Sequence, residues 1–284
     1  MQNNGFSTNK TLNVGGKLID LSVPKVMGIL NVTPDSFFDG SRYTDSTQAL
    51  KQAERMMNEG ATLIDIGGYS SRPGATDISE EEEIRRTAPV VKAVATEFPE
   101  AIISIDTFRS AVAQRAVQEG AAVINDISGG ELDKSMFTTV SELQVPYVLM
   151  HMRGNPQTMN ELNQYDLLLK DIIDYFHQRV FRLRALGVKD IIIDPGFGFS
   201  KNIEQNFELL NHFDQLSVLG LPLLAGLSRK SMIWKTLGET AEAALNGTTS
   251  LNTVALLKGA AILRVHDVKA AVEAVKLIEK LKAK

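Results

Sequence analysis

Residues 118–130 read "QEGAAVINDISGG", and residues 58–68 read "NEGATLIDIGG". Each begins where a helical pattern runs into a glycine, the residue that most easily takes the left-handed conformation that ends a helix. Each continues as a short apolar run, carries a polar residue towards its end (Asn125 or Asp65), and stops on two glycines. A helix that ends in Gly and hands straight over to an apolar strand belongs to a β/α unit. Its reuse predicts a chain built from repeats of that unit.

The same rhythm runs from residue 25 to the C-terminus. The candidate strands are "KVMGILNV" (25–32), "TLIDIGG" (62–68), "AIISIDT" (101–107), "AVINDI" (122–127), "YVLMH" (147–151), "DIIIDP" (190–195), "PLLAGLS" (222–228) and "AILRVHD" (261–267). Helical spacing fills 45–59, 80–97, 109–119, 164–186, 241–258 and 268–282. Continuously apolar strands, each followed by a helix, are parallel strands buried on both faces. Eight of them predict an α/β fold, a (β/α)8 TIM barrel; a doubly wound open sheet is the structural alternative. Before the rhythm starts, "TLNV" and "KLIDL" flank Gly15-Gly16, a two-residue hairpin signal. No linker or composition break divides the chain. The expectation is one domain over 1–284, with the hairpin at 11–22 and the barrel at 23–284.

The 284 residues carry a net charge of −4 with both signs spread along the chain, which speaks against nucleic-acid or membrane-surface partners. With no cysteine, disulfides, thiolate catalysis and Cys-based zinc sites are excluded. The chain has no apolar run of membrane-spanning length and no apolar core of a signal peptide at its start, so a cytoplasmic location is expected.

Polar residues fall in phase at the strand ends: Asn31, Asp65, Asp106, Asn125, His151, Asp194, Ser228, and Arg264 with His266. One such residue is ordinarily a helix cap or a turn former. Eight strand ends in phase point to the C-terminal rim, where barrel enzymes place their sites. Arg264 and His266 leave the last strand on the same face, two potential cations that suggest an anion such as a phosphate. Barrel closure sets Asn31 beside them, where an amide oxygen could complete the shell of a Mg²⁺ bound to a diphosphate. Asp106, Asn125 and Asp194, with Lys230 after the seventh strand, can read the donor–acceptor edge of a flat heterocycle with amino and oxo groups. Two long glycine-bearing connections, 28–40 ("GILNVTPDSFFDG") and 67–79 ("GGYSSRPGATDIS"), are candidate lids. Ser79 and Glu82 fit a capping box, and the acids at 80–83 suit a helix N-terminus.

These blocks, with "LMHMRGNPQTM", "IIDPGFGFSKN" and "LAGLSRKSMI", stand in the order and spacing of the dihydropteroate synthases, and the resemblance spans residues 12–282. It implies a (β/α)8 barrel, usually a homodimer, that joins 4-aminobenzoate to a dihydropterin methyl diphosphate with Mg²⁺ and releases pyrophosphate. By that resemblance Asp106, Asn125, Asp194, Lys230 and Arg264 bind the pterin. Asn31, as the metal ligand, together with Ser71, Arg72, Arg264 and His266, meets the diphosphate. Phe37, Ser71, Pro73, Phe199, Lys230 and Ser231 form the aminobenzoate pocket. Asp106, Lys230, Arg264 and His266 carry the catalysis. Ser71 stands where many members have Thr, and Phe38, where a small residue is common, has no assigned role. The rival readings are a methyltetrahydrofolate-dependent methyltransferase, which would share the ring-binding acids but not "SSRPG", "SRKS" or "RVHD", and a non-catalytic pterin-binding paralogue.

Overall fold

The computed structural model describes residues 10–32, 42–70 and 77–282; of residues 42–45 it describes the backbone only. The chain opens with the hairpin β1 (Thr11–Val14) and β2 (Lys17–Asp20). Gly15 and Gly16 both take positive φ, 58° and 86°, which a two-residue turn needs if its twist is to match the strands.

Eight parallel strands follow: β3 (Lys25–Asn31), β4 (Leu63–Gly67), β5 (Ile102–Asp106), β6 (Val123–Asp126), β7 (Tyr147–Met150), β8 (Ile191–Asp194), β9 (Leu224–Ala225) and β10 (Ile262–Val265). They pair in the order β8-β7-β6-β5-β4-β3-β10-β9. A parallel bridge from Ile193 to Leu223, with the Ile193 amide donating to Pro222 O at 2.9 Å, joins the two ends of that order. The sheet thereby closes as the barrel expected from the sequence. Around it stand α1 (Arg42–Asn58), α2 (Glu80–Glu97), α3 (Ser110–Gln118), α4 (Met136–Leu143), α5 (Leu168–Ala185), α6 (Ile203–Asn211), α7 (Ser231–Leu237), α8 (Leu245–Leu257) and α9 (Val268–Lys282). Three of these, α4, α6 and α7, were not read as helices. Each is two to three turns long, too short for a periodic pattern to stand out. The spans read at 164–186 and 241–258 begin four residues early: residues 164–167 and 241–244 are non-helical and lead into α5 and α8.

Strand alternation sorts the side chains. Outward residues such as Ile64, Ile66, Ile103, Ile105, Ile124, Ile193 and Leu263 pack against the helices. Inward residues Met27, Leu63, Ile102, Val123, Val148, Ile192, Leu224 and Ile262 form an apolar floor, capped from below by Leu12, Val14 and Leu21 of the hairpin segment. Two residues further along five of the eight strands the inward positions turn polar: Asp65, Ser104, Asn125, Asp194 and Arg264. A period of two along the strand makes these positions share one lumen, apolar at the bottom and charged at the top.

Candidate active site

Arg264 is the hub of the upper layer. Its Nε donates to Asp65 Oδ2 at 2.6 Å and its Nη2 donates to Asp106 Oδ2 at 2.5 Å. Asn125 Nδ2 donates to the same Asp65 oxygen at 2.9 Å. One guanidinium thus ties β10 to β4 and β5 across β3, and the amide of β6 completes the chain. Burial pushes the Asp106 carboxyl up to about 7; Arg264 pulls it down, while Asp65, Glu83 and Asp126 reinforce the rise. Asp65 lay in the in-phase set read from the sequence but was given no role. Its partner is 199 positions away, so only the fold reveals it as the inner anchor of Arg264.

Small residues leave room beside these acids. A Cβ on Gly67 would stand 3.3 Å from Asp106 Cβ, and one on Gly226 would stand 3.7 Å from Asp194 Oδ2. Asp194 is buried, accepts the Gly196 amide at 2.8 Å, and is pushed up chiefly by burial. Lys230 extends over the Phe199 ring with its Nζ 4.2 Å from the centroid. Burial lowers its ammonium to about 8; Arg264 adds to the fall and Asp194 and Asp106 oppose it. Ser231 is the first residue of α7, directly after Lys230.

Ser228 Oγ accepts the His266 amide at 3.1 Å and lies 3.0 Å from His266 Nδ1. Assigning the hydroxyl as donor to Nδ1 puts the ring proton on Nε2. Burial, then Arg264 and Arg229, lower the imidazole to about 4, so His266 is a neutral donor here. Of the two potential cations read at this end of β10, Arg264 is the cation and His266 a neutral N–H. Arg229, in the left-handed region at φ 56°, forms a two-point ion pair with Asp267 at 3.0 and 2.8 Å that joins the loops carrying Lys230 and His266.

Asn31 ends β3, which pairs directly with β10 through Arg264↔Met27 and Val265↔Gly28, as barrel closure required. Phe37, Phe38, Ser71, Arg72 and Pro73 lie outside the described residues. His151 is not part of this cluster; it is buried against Lys201. Of the expected capping box, half forms. Ser79 Oγ accepts the Glu82 amide at 3.2 Å, while the Glu82 carboxylate pairs with Arg85 and Arg86. Glu83 is not on the solvated face of that acidic run: it is buried and takes Arg109 Nη1 at 2.6 Å.

A rim that holds carboxylates, an amide, a lysine and a guanidinium, with a neutral imidazole two residues beyond it, suits a flat, polar heterocycle bearing an anionic tail. Residues 27–266 match the profile of a family described as pterin binding enzyme. The dihydropteroate synthase of Escherichia coli K12 is 44% identical over 266 residues, covering 93% of this chain and 94% of that protein. The chain belongs to the dihydropteroate synthase family. Its members are transferases of folate synthesis, and the solved structures agree. Xanthomonas albilineans dihydropteroate synthase with 4-aminobenzoic acid superposes with a TM-score of 0.90 at 39% identity, over 98% of this chain and 100% of that one. The Yersinia pestis dihydropteroate synthase with a sulfonamide drug complex gives 0.90 at 42% identity, over 96% and 99%.

Proposed function

We propose that this rim joins (7,8-dihydropterin-6-yl)methyl diphosphate to 4-aminobenzoate and releases pyrophosphate by an SN1-like path. The observation that carries the reading is the Arg264 bridge between Asp65 and Asp106 beside Asn125, in a chain of this family. The pterin edge is read by Asp106, Asn125, Asp194 and Lys230, whose carboxylates, amide and ammonium match its amino, ring-nitrogen and oxo groups. A wrong heterocycle would leave these buried groups unpaired. Arg264 has five N–H donors, and its Nη1 edge is engaged by neither carboxylate, so it serves the ring and the diphosphate together. His266 offers Nε2–H to the same anion. Arg72 and Ser71 belong to the diphosphate side by resemblance, and Phe37, Pro73, Phe199 and Ser231 to the aminobenzoate pocket.

Loss of pyrophosphate leaves a methylene cation that the electron-rich ring delocalises. Arg264 and His266 stabilise the departing anion, and an ionised Asp106 near the ring stabilises the cation. An aryl amine is already neutral at pH 7 and attacks without a strong base, so neither a covalent enzyme intermediate nor a dedicated catalytic base is needed. Among the described residues no three acids or histidines are grouped to hold a metal, so those residues offer it no cage of side chains. Mg²⁺ keeps waters and phosphate oxygens and takes one or two protein ligands. The Asn31 amide oxygen, at the rim end of β3 beside β10, fits that part. Bound there, Mg²⁺ would neutralise charge on the leaving pyrophosphate.

A homodimer through the C-terminal helices belongs to the same proposal. Leu237 at the end of α7 and both ends of α8, Leu245 and Leu257, are exposed apolar side chains. Sedimentation as a monomer at micromolar concentration would remove it. A cytoplasmic setting follows from the diphosphate substrate, whose charge keeps it from crossing a bilayer unaided. Among the described residues no helix is long and apolar enough to span a membrane. The deciding assay is pyrophosphate release from the dihydropterin methyl diphosphate. Release that requires 4-aminobenzoate and Mg²⁺ and is blocked by a sulfonamide is expected. Pterin binding without release would mean a non-catalytic paralogue.

A further inference from the structure

The loop between β8 and α6 has an unusual backbone. Gly196, Gly198 and Ser200 alternate in the left-handed region at φ 71°, 78° and 51°. Gly196 has no alternative, since a Cβ there would stand 2.1 Å from His151 O. Ser200 is not a glycine and adopts this conformation at a cost. The winding turns the carbonyls of Gly196 and Phe199 onto one point, and the Lys201 ammonium occupies it. Lys201 Nζ donates to Gly196 O at 3.1 Å and to Phe199 O at 3.0 Å, and lies 3.0 Å from His151 Nδ1. Three N–H groups meet three acceptors, with His151 as the Nε2–H tautomer.

The group is buried, and no carboxylate among the described residues stands within ion-pair distance of it. Burial lowers its ammonium to about 7; Asp194 pulls upward, and Arg153 and Lys230 push downward. A methionine or leucine would fill the same space without desolvating a charge. The cation is therefore there for what it grips. Phe199, held by its carbonyl, is the residue whose ring lies under Lys230 Nζ. Gly198, between the two gripped carbonyls, packs so close to Lys230 that a Cβ there would stand 3.0 Å from Lys230 Cδ.

We propose that Lys201 is a positioning residue for the amine substrate: by gripping the Gly196 and Phe199 carbonyls it fixes the Phe199 ring against Lys230 and so shapes the aminobenzoate side of the site. The inference rests on the aminobenzoate reading of Phe199 given above. Lys201 hydrogen-bonds the Gly196 and Phe199 carbonyls and His151 and none of the pterin-reading side chains, so its loss should fall more heavily on the amine substrate.

The test compares Lys201→Met and Lys201→Ala with the wild type. Steady-state kinetics give KM for 4-aminobenzoate, and calorimetry gives Kd for the dihydropterin methyl diphosphate. A displacement of Phe199 by about 1 Å should raise the 4-aminobenzoate KM by about tenfold or more, with Kd for the pterin substrate changed by less than about threefold. Ethylammonium should restore the KM of Lys201→Ala, and ethanol at equal concentration should not. Lys201→Arg keeps the charge, but its flat fork does not fit a cone of three acceptors. It should show the same split at smaller size, and it serves if Lys201→Met does not fold. An unchanged 4-aminobenzoate KM in a folded variant, equal loss for both substrates, or rescue by ethanol as good as by ethylammonium would overturn the proposal. A wild type without 4-aminobenzoate-dependent release would instead defeat the reading of the site, before any variant is compared.

Discussion

Replacing Arg264 with Gln tests whether the site is built on one guanidinium. The substitution removes a cation that donates to Asp65 at 2.6 Å and to Asp106 at 2.5 Å. The Asp65 side chain is 0% exposed, and its Oδ1 already lacks a hydrogen-bond partner, so its carboxylate has no water to turn to. Asp106 is 19% exposed and is partly hydrated. Removing one partner of a buried ion pair costs ~3–5 kcal/mol. The partly exposed second pair adds little, so ~4 kcal/mol is expected, a large part of an ordinary domain's stability of ~5–15 kcal/mol. The cost should grow with pH. Burial holds the Asp106 carboxyl up at about 7 with Arg264 in place, far above its ordinary 3.8. A carboxyl whose folded value is raised adds stability at low pH and loses that contribution as pH climbs to its folded value. In the wild type the loss is complete soon after pH 7. Without Arg264 the carboxyl keeps its proton to higher pH, so the variant goes on losing stability. At ~1.4 kcal/mol per pH unit, the penalty at pH 8.5 should exceed that at pH 6 by up to ~2 kcal/mol. Urea unfolding of both proteins at the two pH values measures it. Adding Asp65→Asn should recover about half of the loss, because the orphaned charge is gone. A penalty below ~1 kcal/mol, or one that is flat from pH 6 to 8.5, would refute the reasoning.

Lys230→Ala should weaken pterin binding by ~2 kcal/mol or more in calorimetry, since it removes a buried donor to the ring and the cation that acts most strongly on Asp194, ahead of Arg264 and Lys201; unchanged affinity rejects the assignment. His266→Ala should weaken the diphosphate substrate far more than the bare pterin, and equal effects on both would count against placing the imidazole on the anion. Gly196→Ala should cost ~3 kcal/mol or more in thermal unfolding, combining the positive φ with a 2.1 Å approach to His151 O; a neutral result would mean the loop backbone is free to move. Omitting Mg²⁺ should abolish pyrophosphate release while bare pterin still binds, and full turnover in the presence of a chelator would remove the metal from the reading.

The barrel was legible because parallel strands buried on both faces read as continuous apolar runs, and all eight runs became strands. The short helices α4, α6 and α7 were not, since two or three turns do not establish a period. At the site, phase along the strands was enough to find Asp106, Asn125, Asp194, Arg264 and His266. It was not enough to rank them. Asp65 had the same signal and was passed over, because its importance comes from Arg264 reaching it across the first barrel strand. The charge of His266 was also beyond the sequence: imidazole is neutral here because it is buried between two guanidinium groups, which only packing shows. Lys201 carried no signal at all, since one lysine after a glycine-rich turn looks like any exposed lysine until the turn is seen to close on it.

The barrel's two ends divide the work. At the floor, eight inward apolar side chains and the hairpin exclude water, each fully buried side chain contributing ~1.5–3 kcal/mol. At the rim, the same lumen holds groups that are costly to bury, and it moves their titrations together. Asp106 rises to about 7 and Lys230 falls to about 8, from ordinary values of 3.8 and 10.5. A carboxyl and an amine so close in proton affinity can each present a donor or an acceptor near neutral pH. A ring that alternates donors and acceptors along its edge is the ligand best able to use both, and its arrival settles which form each group takes. Arg264 does not share this ambivalence. Arg264 stays charged, pushed above its ordinary value by Asp65 and Asp106 despite its burial, and so fixes the frame. In the proposed reaction a permanent cation would set position, and two adjustable groups would set recognition.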